Sequence, residues 1–184
     1  MKQIQLGIIG VGWCGGIRAE TAAKNPLVSS LHLAETHPER LKQLQQTVKA
    51  DTYTDDYKKL IDNPAIDAIV ISATPESTHF PMARDALKAG KHVFLEKPIA
   101  IELAEADELI ELARKNKLKF TIGYSQRFNP KYAYVKKALN DGVIGRAVSV
   151  LVSRHITRSL GKKISGRIKL SPAAMESTHD LDFV

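Results

Sequence analysis

Cysteine is almost missing from this chain. Among 184 residues there is one, Cys14, which excludes an intrachain disulfide framework and any cysteine-based zinc cluster. No apolar run is long enough to span a bilayer. Met1-Lys2-Gln3-Ile4 leads straight into an apolar stretch with no signal-peptide cleavage pattern behind it. A reducing, cytoplasmic setting without membrane insertion is expected, and no metal site. There is no internal repeat. A hydrophobic content of 43% excludes disorder, and the length suits one full domain plus a fragment of another.

Acidic residues are missing from one long stretch. Between Val143 and Met175 there is no Asp or Glu, whereas Arg146, Arg154, Arg158, Lys162, Lys163, Arg167 and Lys169 all fall there. The net charge of +7 comes from this one segment, since the other basic residues only balance the 20 acids. Three readings compete: a solvated loop and strand edge, a site for an anionic substrate such as a charged sugar derivative, and nucleic acid. The last is disfavoured, because the stretch holds no aromatic residue for stacking and no recognisable reading helix.

Two periodicities alternate along the rest. Short apolar runs predict strands at Ile4–Ile9, Leu31–Ala34, Ala68–Ile71, His92–Leu95 and Phe120–Ile122, with a brief sixth at Thr52-Tyr53. Between them lie stretches with helical spacing, such as Leu41, Leu44, Val48 and Ala106, Leu109, Ile110, Ala113. Pro and Gly punctuate the joints, for example Asn25-Pro26, Thr74-Pro75 and Lys97-Pro98. Near-continuous apolar strands alternating with amphipathic helices predict an α/β fold, a doubly wound parallel sheet of Rossmann type, over residues 1–122. Residues 123–184 read as the start of an incomplete, truncated second α/β domain. It holds a helix over Pro130–Leu139, a strand over Ala147–Val152, a loop from about Ser159 to Ser171, and a last helix opening after Ser171-Pro172.

The sharpest motif is Gly10-Val11-Gly12-Trp13-Cys14-Gly15, a G-x-G-x-x-G between a strand and a helix. Its glycines allow a tight turn, close approach of backbone to a pyrophosphate, and close helix–strand packing. The helix N-terminus adds free N–H groups and partial positive charge. Glu35, 20 residues past Gly15, is placed to accept hydrogen bonds from ribose hydroxyls and to repel a 2′-phosphate. The expected cofactor is NAD; His37 and Arg40 stand close enough to modify that choice, so NADP is admitted.

A second constellation, Gly90-Lys91-His92-Val93-Phe94-Leu95-Glu96-Lys97-Pro98, joins Ala73-Thr74-Pro75 with His79, and Gly123-Tyr124-Ser125-Gln126-Arg127-Phe128-Asn129-Pro130. Together with the glycine loop these resemble the Gfo/Idh/MocA oxidoreductases, which include glucose–fructose oxidoreductase and inositol dehydrogenases. The resemblance implies an NAD(P)-binding Rossmann domain followed by a second domain built on an open, mostly antiparallel sheet. It also implies hydride transfer to or from a secondary hydroxyl or ketone of a sugar, cyclitol or related polyol, with a homo-oligomeric full-length protein. In that setting Thr74, Pro75 and His79 line the cofactor crevice, Glu96 fixes the strand end or the cofactor, and Arg127 and Asn129 hold the cofactor or close the domains. Lys97 ends a central strand where the nicotinamide belongs, and its ammonium suits a substrate hydroxyl and the developing alkoxide.

The third constellation is Met175-Glu176-Ser177-Thr178-His179-Asp180-Leu181-Asp182. By resemblance His179 is the acid/base, a role its near-neutral titration suits. Inositol-dehydrogenase-like members carry an Asp four residues earlier, where this chain has Met175. Glu176, at i−3, is the expected replacement. Lys97, His179 and Glu176 are thus the expected catalytic residues of an NAD(P)-dependent dehydrogenase. The competing reading is a nucleotide-binding module without a complete substrate site.

Overall fold

The computed structural model describes residues 2–155, 157–165 and 172–183. The chain divides into two compact units, Met1–Gly123 and Tyr124–Val184. In the first, six strands alternate with five helices: β1 (Ile4–Ile9), α1 (Trp13–Ala23), β2 (Val28–Ala34), α2 (Pro38–Thr47), β3 (Thr52–Thr54), α3 (Lys58–Ile61), β4 (Ala68–Ile71), α4 (His79–Lys88), β5 (His92–Leu95), α5 (Leu103–Lys115) and β6 (Phe120–Ile122). All strand pairs are parallel and the order is β3-β2-β1-β4-β5-β6. The order reverses between β1 and β4, which opens a crevice at the carboxyl ends of those two strands.

Alternation along the strands fills two cores. Ile8, Leu31 and Leu33 pack with Ala19 and Ala22 of α1 and Leu44 of α2. Ile9, Ile69, Ile71, Val93 and Leu95 pack on the other face with Ala83 and Leu87 of α4 and Leu109 of α5. Ile8, Leu33, Ile69, Ile71, Leu87, Leu95 and Leu109 are fully buried, each contributing about 1.5–3 kcal/mol by leaving water. Burial on both faces is why these strands read as continuous apolar runs. Strand β2 begins earlier than its apolar pattern predicts, because the polar pair Ser29-Ser30 hides its first half. At α5, Glu105 reaches back to the Glu102 N–H at 3.3 Å and helps to close the helix start.

The second unit opens with a short 3-10 turn over Ser125–Phe128, then carries α6 (Pro130–Asn140), α7 (Arg158–Ser165) and α8 (Pro172–Phe183). Two expectations are corrected here. Ala147–Val152 forms no strand: it enters no ladder among the described residues, and Val148 and Leu151 are 86% and 95% exposed. Its β-branched alternation has no partner strand to pair with, and propensity alone does not hold an extended edge. The stretch from Ser159 to Ser165, expected as loop, is helical. Leu160 and Ile164 stand four apart in sequence, and the Gly161 N–H bonds the Thr157 carbonyl at 3.0 Å. One helical glycine costs about 1 kcal/mol and does not break the element. Residues 166–171, with Arg167 and Lys169, lie outside the described residues, as do the side chains of Lys163 and Met175. No helix among the described residues is long and apolar enough to cross a membrane.

Candidate functional site

The turn from β1 into α1 is built to a tolerance of tenths of an ångström. Gly10 has φ +79°, and a Cβ there would fall 2.5 Å from the Ala73 Cα. A Cβ on Gly15 would fall 2.0 Å from the Gly10 carbonyl oxygen. Both glycines are therefore demanded by the protein's own packing. Gly12 differs, since a Cβ there would meet only the Arg40 Nη1, at 3.9 Å. Packing within the protein therefore does not require a glycine at position 12. The first turn of α1 has no side-chain cap and no acidic residue, so its N–H groups carry partial positive charge without a capping side chain. Trp13 is 84% exposed and Cys14 is exposed beside it.

Glu35 follows β2 directly, and its carboxylate is buried against this turn. One oxygen accepts the Val11 N–H at 2.9 Å and the Arg40 Nη1 at 3.3 Å; the other accepts the His37 N–H at 2.9 Å. A carboxylate offers about four lone-pair sites, so an acceptor position remains open for a hydroxyl. Glu35 thus shapes the glycine turn as well as offering a ligand contact, which sequence spacing did not reveal.

The loops after β4 and β5 form the other rim of the crevice. Thr74 and Pro75 are exposed, and the peptide bonds Thr74–Pro75 and Lys97–Pro98 are cis. His79, expected to line the crevice, is instead 1% exposed. Its Nδ1 lies 2.7 Å from the Pro98 carbonyl oxygen and its Nε2 lies 3.1 Å from that of Ala73. It opens α4 beneath the loops, so it braces them from inside. The Glu96 carboxylate pairs with Arg18 of α1 and accepts the Lys97 N–H at 3.2 Å. Arg18 also lies over the Phe94 ring, 4.7 Å from its centroid, and burial holds its ionisation below the usual range. Arg18 was not singled out from sequence; its signal was a cation one helical turn past Gly15, on the face that Ala19 and Ala22 turn to the sheet. Lys97 is half-buried at the end of β5.

The remaining candidates belong to the second unit. His179 sits on α8, partly buried, with the Tyr124 ring edge-on at 6.4 Å. Arg127 grips Asp182 through two nitrogens, at 2.7–3.0 Å, which holds its guanidinium ionised. Arg154 does the same to Asp180, at 2.6 and 2.7 Å, and stands 3.8 Å from the Glu176 carboxylate. The hydrogen bonds from Arg154 hold Asp180 below the ordinary carboxylate range. Arg154 therefore spends its charge on α8, which removes it from the supposed open basic patch. Gln126, Tyr132, Val152, Ser153, His179 and Asp180 border a cavity of about 250 Å³. Asn129 accepts the Lys131 N–H at 3.0 Å as the N-cap of α6, a structural duty.

The family described as "Oxidoreductase family, NAD-binding Rossmann fold" (GFO_IDH_MocA) matches residues 4–124. The chain belongs to it. This Gfo/Idh/MocA member is 32% identical over 144 residues to an uncharacterised oxidoreductase of Bacillus subtilis, covering 78% of this chain and 42% of the relative. It is 29% identical over 143 residues to a myo-inositol 2-dehydrogenase of Thermotoga maritima, again covering 78% and 42%. A scyllo-inositol dehydrogenase of Lactobacillus casei, solved with bound NAD(H) and scyllo-inositol, superposes with a TM-score of 0.73 at 30% identity, covering 78% of this chain and 43% of that one. The Gfo/Idh/MocA chain thus spans less than half the length of these relatives.

Proposed function

We propose that the first unit binds NAD across the β1/β4 crevice and that the protein to which this chain belongs is a dehydrogenase of a secondary hydroxyl on a cyclitol, sugar or related polyol. The observation that carries this reading is the turn at Gly12: an uncapped, acid-free helix start behind a glycine whose missing side chain serves no packing need. Inositol dehydrogenases among the relatives support the substrate class.

When bound, the coenzyme supplies the hydride acceptor. The chain's own residues do the rest. The N–H groups of α1 receive the pyrophosphate, and Trp13 and Cys14 flank it. Glu35 accepts an adenosine ribose hydroxyl, and Thr74 and Pro75 form the opposing wall. Arg18 and Glu96 fix the end of β5, from which the Lys97 ammonium holds the substrate hydroxyl and favours its ionised form. His179 takes the hydroxyl proton, with Glu176 as its orienting carboxylate. Arg127, committed to Asp182, is a weaker coenzyme ligand than its position in sequence suggests. An acidic group on the substrate would be met from the remaining basic segment, Arg146, Arg158, Lys162, Lys163, Arg167 and Lys169, and salt would then raise KM. Homo-oligomerisation of the full-length protein is a further part of the reading, checked by sedimentation.

Titration with NAD, followed by quenching of Trp13, is the test. Saturable quenching that Gly12→Ala shifts to higher NAD concentration supports the reading, and a flat response refutes it. The second reading, a nucleotide-binding module without a working substrate site, is favoured by the unpaired, exposed segment Ala147–Val152. Saturable NAD binding with no NADH formation across a cyclitol and sugar panel would select it.

A further inference from the structure

His79 faces two carbonyl oxygens, one from each nitrogen of its ring. The Pro98 oxygen is 2.7 Å from Nδ1 and the Ala73 oxygen 3.1 Å from Nε2. A carbonyl oxygen only accepts, and a neutral imidazole carries a single N–H. In the neutral ring one nitrogen lone pair would point at a carbonyl lone pair inside a site that is 1% exposed, with no room for water to intervene. Only the imidazolium satisfies both oxygens.

We propose that His79 is held as an imidazolium in the folded protein and that its two N–H groups clamp the loops after β4 and β5 into the shape that receives the coenzyme. It is a positioning residue, and the inference rests on the coenzyme reading given above. The clamp reaches the crevice on both sides. Ala73, on the Nε2 side, is the residue whose Cα and N lie within 2.6 Å of the Cβ that Gly10 lacks, so its position sets the glycine turn. Pro98, on the Nδ1 side, is joined to Lys97.

A buried cation needs a counter-charge. Among the described residues the buried carboxylates are Glu35 and Glu76. Glu35 serves Val11, His37 and Arg40. Glu76 stands on the 3-10 turn that runs directly into α4, three residues before His79. The neighbours that β4, β5 and α5 pack against α4 are Ile69, Ile71, Val93, Leu95, Leu109 and Ala113, all apolar. Further along α4, Arg84 lies over Phe80 and Asp85 accepts from Tyr57. Along the chain, the ionisable groups nearest the clamp among the described residues are Glu76, three residues before His79, and Lys97, next to Pro98. Because the folded state favours the protonated ring, the clamp is fully present below the unfolded value of about 6.5 and is lost as pH rises through the higher folded value.

The test uses the full chain with ¹⁵N-labelled histidine, with ring-nitrogen shifts followed from about pH 6 to about pH 9 and His79 assigned through His79→Gln. Both His79 nitrogens are expected to be protonated at neutral pH; a single tautomer with one N–H there overturns the proposal. In parallel, the NAD dissociation constant from Trp13 quenching should weaken by about fivefold or more as the His79 signal titrates, and saturating NAD should move that midpoint upward by the same factor. His79→Gln, which cannot donate on two sides, should bind NAD weakly at every pH. If that variant does not fold, the wild-type titration alone decides. A wild-type dissociation constant that stays constant through the His79 titration overturns the positioning role. A doubly protonated ring with no NAD binding at any pH would leave the clamp standing and sink the coenzyme reading instead.

Discussion

At the scale of single residues, the three glycines of one turn do two different jobs, and substitution separates them. Gly15→Ala must push a methyl to 2.0 Å from the Gly10 oxygen, a backbone atom that cannot yield. The expected loss is at least about 3 kcal/mol, read as a lowered urea midpoint. Gly12→Ala places its methyl in open space and should leave that midpoint unchanged while weakening NAD at least about tenfold, or about 1.4 kcal/mol. The sequence motif named all three glycines, but nothing in the letters tells packing from ligand clearance; that distinction needs the Ala73 backbone and the Gly10 oxygen in space. Glu35 was legible in the same partial way, as an acid at the right spacing, while its bonds to Val11 and His37 were not. Arg40, 3.3 Å from Glu35, offsets the negative charge that would exclude a 2′-phosphate. Arg40→Ala should cost NADP about tenfold in affinity and change NAD by less than about threefold, with the salt dependence of NADP binding falling in step.

At the scale of elements, strands buried on both faces announced themselves and elements that depend on a partner did not. Three-dimensional pairing explains both outcomes: β1, β4, β5 and β6 have neighbours that their apolar runs imply, whereas Ala147–Val152 has the pattern of a strand and no ladder. Buried polar cross-links between elements were also invisible in the sequence. Lys91, just before β5, donates to the Asn63 and Ile66 carbonyls at 2.6 and 2.8 Å and so ties β5 to the connection leading into β4. Lys91→Met should strand both oxygens and cost about 1–3 kcal/mol in urea unfolding, with NAD affinity unaltered because the contact lies at the amino ends of the strands. His32 joins β2 to β3 through Thr52, at 3.1 Å, and burial pushes its ionisation below the usual value. The unfolded chain then binds more protons than the folded one below about pH 6.5, so stability should fall as pH drops through that range. His32→Gln should flatten that part of the melting-temperature profile. The sign is opposite to that of the His79 clamp, which weakens as pH rises.

At the scale of the whole molecule, apolar burial is distributed very unevenly. Both hydrophobic cores lie within Met1–Gly123, while the second unit contributes Ala138 as its buried apolar residue among those described. That unit instead exposes Phe128, Tyr134, Val148, Leu151 and Leu181, and α8 is tied in by the ion pairs of Arg127 with Asp182 and Arg154 with Asp180 and by the tilted ring contact of Tyr132 with Phe183. Each pair is two-pronged with a shielded carboxylate, so it is worth more than a fully exposed pair, yet it does not take the place of an apolar core, and salt weakens it. Cooperative stability should therefore reside in the first unit. A fragment of residues 1–123 should melt in one transition within a few degrees of the full chain. Its NAD affinity should stay within about threefold of the full chain, because the glycine turn, Glu35, the His79 clamp and Lys97 are all retained. Calorimetry and Trp13 quenching on the two proteins side by side measure both quantities. A fragment that folds but binds NAD more than about tenfold more weakly would transfer part of the coenzyme site to Arg127 or its neighbours, since an ordered unit lacking only those residues has no other reason to lose the ligand.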